Sequence, residues 1–293
     1  MHKWFWIIGW FPTIMAVAGN AVVIWLIITK RRLRTTANWF VTSLAAADFF
    51  IGIFFFPTLY TCKIRWSLCS SQKGHVITIL LSFLLHASVG NLCAMTIDRY
   101  VAIALPLKYI VYMTPKRSFP MIAATWIFPA AVWILHTVIV TYFGASATAF
   151  AVTVVRKCVL EFLPMIFLTL ATIHMLMIVR RHKKEISSLL ADLQYNRPIS
   201  DEKPKIFRRI PEASSATVVA VVVFIFVFCY SIETYLFFCT VCPSALIDVV
   251  LFFFLLNAAA NPLAYAFLKK DIRRELGKVF RENCLHRKVV SHK

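Results

Sequence analysis

Seven long apolar runs constrain this chain more than anything else in it. They cover approximately residues 4–28, 38–60, 75–104, 119–141, 153–179, 213–240 and 246–268. A helix rises about 1.5 Å per residue, so each run is long enough to cross a hydrocarbon core of about 30 Å. In that medium each backbone polar group must be satisfied within the protein, and runs of this length do so as helices. The rest of the composition agrees. Of 293 residues, 60% are hydrophobic and 15% charged, against about 45–50% and 25% in a soluble domain. An ordinary soluble enzyme, a disordered regulator and a secreted disulfide scaffold are all excluded. The expected fold class is an all-α membrane protein built as a seven-transmembrane helix bundle.

The formal net charge is +19. In a soluble protein such a charge points to nucleic acid, but here its placement gives another reading. Of the 32 Lys and Arg residues, 26 fall at the end of run three or in the segments after runs one, three, five and seven. The other 6 are Lys3, Lys63, Arg65, Lys73, Arg156 and Lys157. Positive charge concentrates on the cytoplasmic side of a membrane protein. The expected topology is therefore N-terminus outside and C-terminus cytoplasmic, and no nucleic-acid partner is needed to explain the charge. The first run is read as a retained span, because it is too long for a secretory leader and ends in four basic residues. The polar segment 180–212 is read as flexible or as a helical extension of the fifth span.

Polar groups at bilayer depth are costly, at least about 2.5–3.5 kcal/mol for a charged one, and tend to carry function. Span one holds Gly19-Asn20. Span two holds Asp48, and span three holds Ser88, Asn91 and, at its inner end, Asp98-Arg99-Tyr100. Span seven holds Asn257 and Asn261-Pro262 with Tyr265. Ser88 and Asn91 share a helix face by their spacing, as do Asn257 and Asn261.

Taken in order, these motifs resemble the rhodopsin-like (class A) G-protein-coupled receptors over nearly the whole chain. The matches are Gly19-Asn20, Leu44-Ala-Ala-Ala-Asp48, Asp98-Arg99-Tyr100 with Pro106-Leu107 after it, Trp126, Pro164, and Asn261-Pro262-x-x-Tyr265. The resemblance implies a receptor domain over residues 1–268, and a cytoplasmic tail over 269–293 whose stretch Lys269–Lys278 forms a short amphipathic eighth helix. It also implies an extracellular ligand, a heterotrimeric G protein as partner, a lipid membrane as surroundings, a plasma-membrane location and no enzymatic activity. The coupling and switch residues it implies are Asp98, Arg99, Tyr100, Pro106, Glu212, Tyr230, Asn261, Pro262 and Tyr265. Glu212 would pair with Arg99 across spans six and three; a first-turn acid favoured by the helix dipole is the other reading. Asp48, Ser88, Asn257 and Asn261 match a sodium site, with a water-filled polar network as the alternative.

The chain also departs from the family pattern. Gly74 stands where the family has a cysteine at the outer end of span three, which leaves Cys69 and Cys158 as a displaced pairing. Cys239 and Cys242 either close a small bridge or stay free, Cys93 and Cys229 read as membrane core, and Cys284 is a candidate for palmitoylation. Span six carries Tyr230 and Ile232 in place of the family's Trp and Pro, and span five carries Thr172 in place of a Tyr. Those changes keep open a folded but non-signalling receptor as the alternative function. Leu81 occupies the place of the aspartate that anchors biogenic amines in the family, and span seven has no Lys, so retinal is not expected. The expected ligand pocket is His86, Glu161, Tyr230, Glu233 and Phe237. Arg156 and Lys157 are placed at the membrane surface. Glu233 then lacks an internal partner and would anchor a basic group on the ligand.

Overall fold

The computed structural model describes residues 2–64, 72–144, 146–195, 211–238 and 244–290. Every regular element among them is helical. Seven segments are long and apolar enough to cross a membrane: Lys3–Thr29, Thr36–Ile64, Val76–Ala104, Pro115–Phe143, Ala147–Ser188, Ala216–Phe238 and Ala245–Leu268. They are spans one to seven. Spans two and three sit at the centre of the bundle, with about half of each apolar window buried, whereas spans four and five bury 17% of theirs. Spans four and five therefore show most of their surface to lipid, and any charge they carry must use a narrow inward face.

The packing explains several sequence features. A Cβ on Gly19 would lie 2.7 Å from Pro262 Cγ, so only glycine lets span one approach span seven this closely. Asn20, next to it, donates from Nδ2 to the Ala258 carbonyl at 3.2 Å and closes the same contact. Trp126 Nε1 donates to Ser43 Oγ at 3.0 Å and ties span four to span two. Phe40, Phe56, Phe226 and Tyr265 are fully buried and fill the interior between the central spans.

Span five begins earlier than the apolar run does. Ser146 caps it, its hydroxyl accepting from Ala149 N–H at 3.3 Å, a common way to satisfy a free donor at a helix start. Arg156 and Lys157 thus lie about 15 Å along the helix. A π-helical turn follows at Cys158–Phe162. The helix then continues to Tyr195, which fits the expected extension of span five; residues 196–210 lie outside the described residues.

The C-terminal helix runs Lys270–Val290, longer than the short eighth helix expected. Lys269 Nζ donates to Asn38 Oδ1, and Asn38 Nδ2 bonds Asp271 Oδ2 at 3.2 Å and the Leu33 carbonyl at 2.8 Å. These contacts fix the start of the helix against the first inner loop. Burial holds the Lys269 ammonium down at about 8, with Asp271 opposing.

The thiols also correct the sequence reading. Cys158 is free, so the displaced pairing of Cys69 with Cys158 does not form. Cys62, at the outer end of span two, is disulfide-bonded. Cys93 and Cys229 are free as well, so the partner of Cys62 lies outside the described residues. Cys93 and Cys229 lie in the apolar core as expected. The expectations for Cys239, Cys242 and the side chain of Cys284 lie outside the described residues.

Candidate functional site

The polar residues gather at three depths. Midway through the bundle, Asp48 is fully buried. Its Oδ1 accepts from Ser88 Oγ at 2.7 Å and its Oδ2 from Asn261 Nδ2 at 2.5 Å. Spans two, three and seven thus meet on one carboxylate with neutral donors. The amide oxygens of Asn257 and Asn261 are buried without a hydrogen-bond partner among the described residues. A hard cation binds oxygen, and a carboxylate, a hydroxyl and two unpartnered amide oxygens are a donor set that suits one. Asn91 Nδ2 bonds the Ala87 carbonyl of its own helix at 2.9 Å, and its amide oxygen too is buried without a hydrogen-bond partner among the described residues. Tyr265 is fully buried, and its hydroxyl donates to Met95 Sδ at 3.7 Å.

At the inner end, Asp98 is fully buried. It accepts from Arg99 Nε at 2.8 Å and from the Tyr109 hydroxyl at 2.9 Å, and Arg99 Nη2 reaches it too. Pro106 opens the short helix Pro106–Tyr112, where its missing N–H costs nothing, and that helix presents Tyr109. Burial, and then the neighbouring Asp98 carboxylate, push the Tyr109 phenol up to about 12, so it stays a donor. Tyr100 faces span five, its hydroxyl 2.9 Å from His174 Nδ1. Neither Tyr109 nor His174 was singled out in the sequence. Tyr109 lies eleven residues past Asp98, across a helix break, where no periodicity links the two. The side chain of Glu212, the expected partner of Arg99, lies outside the described residues.

The outer half of the bundle overturns one expectation. Arg156 and Lys157 do not face water or lipid headgroups: they are 9% and 7% exposed. Lys157 Nζ lies 2.9 Å from Glu161 Oε2 and 2.5 Å from Glu233 Oε1, so one ammonium joins a carboxylate of span five to one of span six. Glu233 therefore has an internal partner. Two local features explain the difference. Span five starts a turn and a half earlier than its apolar run, which carries the pair into the bundle. The π turn directly after Lys157 then shifts the helix face by one residue, about 100°, relative to the lipid-facing pattern that follows.

The remaining pocket residues join the same network. His86 Nε2 lies 3.2 Å from Glu161 Oε1, and Arg156 Nη1 lies 3.6 Å from the same oxygen. Arg156 also covers the face of Trp133, 4.3 Å from the ring centroid, and Lys157 lies 4.7 Å from the Phe237 ring, both attractive arrangements. Tyr230 packs against Phe226 and Phe254, with centroids 4.4 and 5.0 Å away, and forms a floor beneath the charges. Trp133, seven residues after Trp126, was missed; that interval, two turns on the same face, was the available signal. All five expected pocket residues come together, with Arg156 and Lys157 added and the charges paired among themselves.

Comparisons with known proteins bear on the family rather than on this arrangement. The family model for the 7 transmembrane receptor (rhodopsin family) matches residues 19–265. The chain is 27% identical to an octopamine receptor beta-2R of Chilo suppressalis, over 89% of this chain and 75% of that protein. It is 25% identical to the adenosine receptor A2a of Homo sapiens, over 93% and 71%. It is 27% identical to the trace amine-associated receptor 9 of Rattus norvegicus, over 95% and 88%.

Proposed function

The chain belongs to the rhodopsin family of seven-transmembrane receptors, and from that premise we propose how its outer and inner ends act together. It is a G-protein-coupled receptor and not an enzyme. Its N-terminus faces outside and its C-terminal helix faces the cytoplasm, a reading supported by the 26-to-6 division of Lys and Arg and the positive-inside rule. Relatives named for octopamine, adenosine and trace amines support a small organic ligand, bound in the outer half among spans three, five and six.

The observation that carries the mechanism is the Lys157–Glu233 bridge between spans five and six. It holds the outer ends of these spans together. A ligand that binds more tightly when the bridge is rearranged shifts the population toward the other arrangement of those spans. At the inner end, Arg99 leaves Asp98 and meets the G protein, while Tyr109 keeps a hydrogen bond on Asp98 and lowers the cost of that exchange. Asp48, Ser88, Asn257 and Asn261 would hold a sodium ion, which supplies positive charge to a buried carboxylate and favours the arrangement in which spans two, three and seven converge. No observation favours the non-signalling alternative.

The test is receptor-catalysed nucleotide exchange on purified heterotrimeric G proteins, with the receptor in lipid nanodiscs. Wild-type protein raises exchange above the G protein alone. Arg99→Ala, which leaves the bundle interior intact, returns it to that baseline. Exchange that is unchanged in Arg99→Ala contradicts the mechanism.

A further inference from the structure

We infer that the outer charge cluster is built to receive a zwitterion, a small molecule carrying both an ammonium and a carboxylate in the manner of a free amino acid. The inference rests on the ligand site lying in the outer half of the bundle. With His86 counted as neutral, four formal charges meet there, on Arg156, Lys157, Glu161 and Glu233, and they cancel. A ligand with one net charge would leave that charge uncompensated in a site removed from water, which is strongly unfavourable. A zwitterion leaves the total at zero.

The hydrogen bonding is uneven in a way that selects where each end goes. Glu161 is well supplied: Lys157, His86 and Arg156 all approach it, at 2.9, 3.2 and 3.6 Å. Glu233 has Lys157 on one oxygen, and its Oε2 is buried without a hydrogen-bond partner among the described residues. Arg156 makes a loose contact with Glu161, and its Nε is likewise buried without a hydrogen-bond partner among the described residues. The cluster therefore carries one unsatisfied acceptor on an anion and one unsatisfied donor on a cation. An unmade hydrogen bond at a buried charged group is costly, and an ammonium on Glu233 with a carboxylate on Arg156 satisfies both. The Lys157–Glu161 pair, within one helix turn, stays in place. Only the bridge from Lys157 to Glu233 is relieved, and that bridge links spans five and six. Trp133, Phe237 and Tyr230 supply aromatic surface around the charges for an apolar ligand side chain.

The test is thermal unfolding of the purified full chain in nanodiscs at neutral pH, titrated with free α-amino acids. Each is compared with its decarboxylated amine and its N-acetylated acid, which keep the side chain and remove one charge. At least one free amino acid raises the unfolding midpoint, and both of its one-charge analogues bind about tenfold or more weakly, as expected for losing a hydrogen bond between charged groups. In Glu233→Gln the amino acid loses its advantage over the N-acetylated acid; in Arg156→Gln it loses its advantage over the amine. An amine that binds as well as its parent amino acid overturns the proposal, and so does a panel in which no free amino acid shifts the midpoint. The readout contains no G protein, so its failure leaves the coupling mechanism standing, and failure of nucleotide exchange leaves this result standing.

Discussion

The bundle buries carboxylates in two different ways. Asp48 is held by neutral donors, Ser88 and Asn261, and the amide oxygen of Asn261 has no donor of its own among the described residues. Glu161 and Glu233 are surrounded by cations from the same chain, with Lys157 shared between them. Burying a charge is costly in both places. The outer cluster offsets the cost internally, so it is locked until something replaces a partner. The middle cluster offsets it only in part, which leaves a fractional need for positive charge at the point where spans two, three and seven meet. One region is closed by its own counter-ions and the other is suited to a borrowed one.

This contrast breaks if the two regions respond alike to substitution. The largest effect is expected for Lys157→Met, which removes the ammonium shared by the buried Glu161 and the partly buried Glu233. Breaking a buried pair from one side costs about 3–5 kcal/mol, read as a lowered unfolding midpoint and reduced surface expression. Adding Glu233→Gln to it recovers part of the loss, because the stranded charge is then gone. Gly19→Val comes next. It forces span one off Pro262 and disturbs Asn261 beside it, an overpacking change of about 1–3 kcal/mol, and it weakens the middle cluster by shape alone. Trp126→Phe gives a benchmark for a neutral bond: losing the contact to Ser43 lowers stability by about 0.5–1.5 kcal/mol. Asp48→Asn has the smallest effect on the fold, within about 1 kcal/mol of wild type, since an amide can still bond Ser88 and Asn261. Its consequence lies elsewhere. Sodium chloride raises the wild-type midpoint above that in choline chloride, and Asp48→Asn abolishes the difference. A sodium effect that survives in Asp48→Asn would mean that the middle cluster is a water network.

The two regions also differ in how far the sequence revealed them. Seven spans, the convergence of Asp48 with Ser88 and Asn261, and the Asp98-Arg99 pair were all readable. Each rests on local composition or on motif residues placed one per span in the right order. The five residues expected to line the outer pocket come together, but the expectation that Glu233 lacks an internal partner is wrong. That error turned on the start of span five and on a single π turn at Cys158–Phe162. Neither leaves a hydrophobic signature, because Ala147–Val155 is mildly apolar throughout and a π turn changes which face a residue takes without changing its identity. Tyr109 was invisible for a related reason: Pro106 restarts the helix, and the angle of that restart decides whether position 109 reaches Asp98. Cys62 stands outside the motif positions, so nothing in the sequence pattern marks it as disulfide-bonded.

We propose that the outer bridge and Arg99 are two ends of one device. Basal nucleotide exchange by purified receptor tests it most directly, because it needs no ligand. Glu233→Gln weakens the tie between spans five and six while Lys157 keeps Glu161, so this variant is predicted to raise basal exchange above wild type. Combining it with Arg99→Ala is predicted to return exchange to the rate of the G protein alone. Exchange by the double variant equal to that of Glu233→Gln would contradict the account.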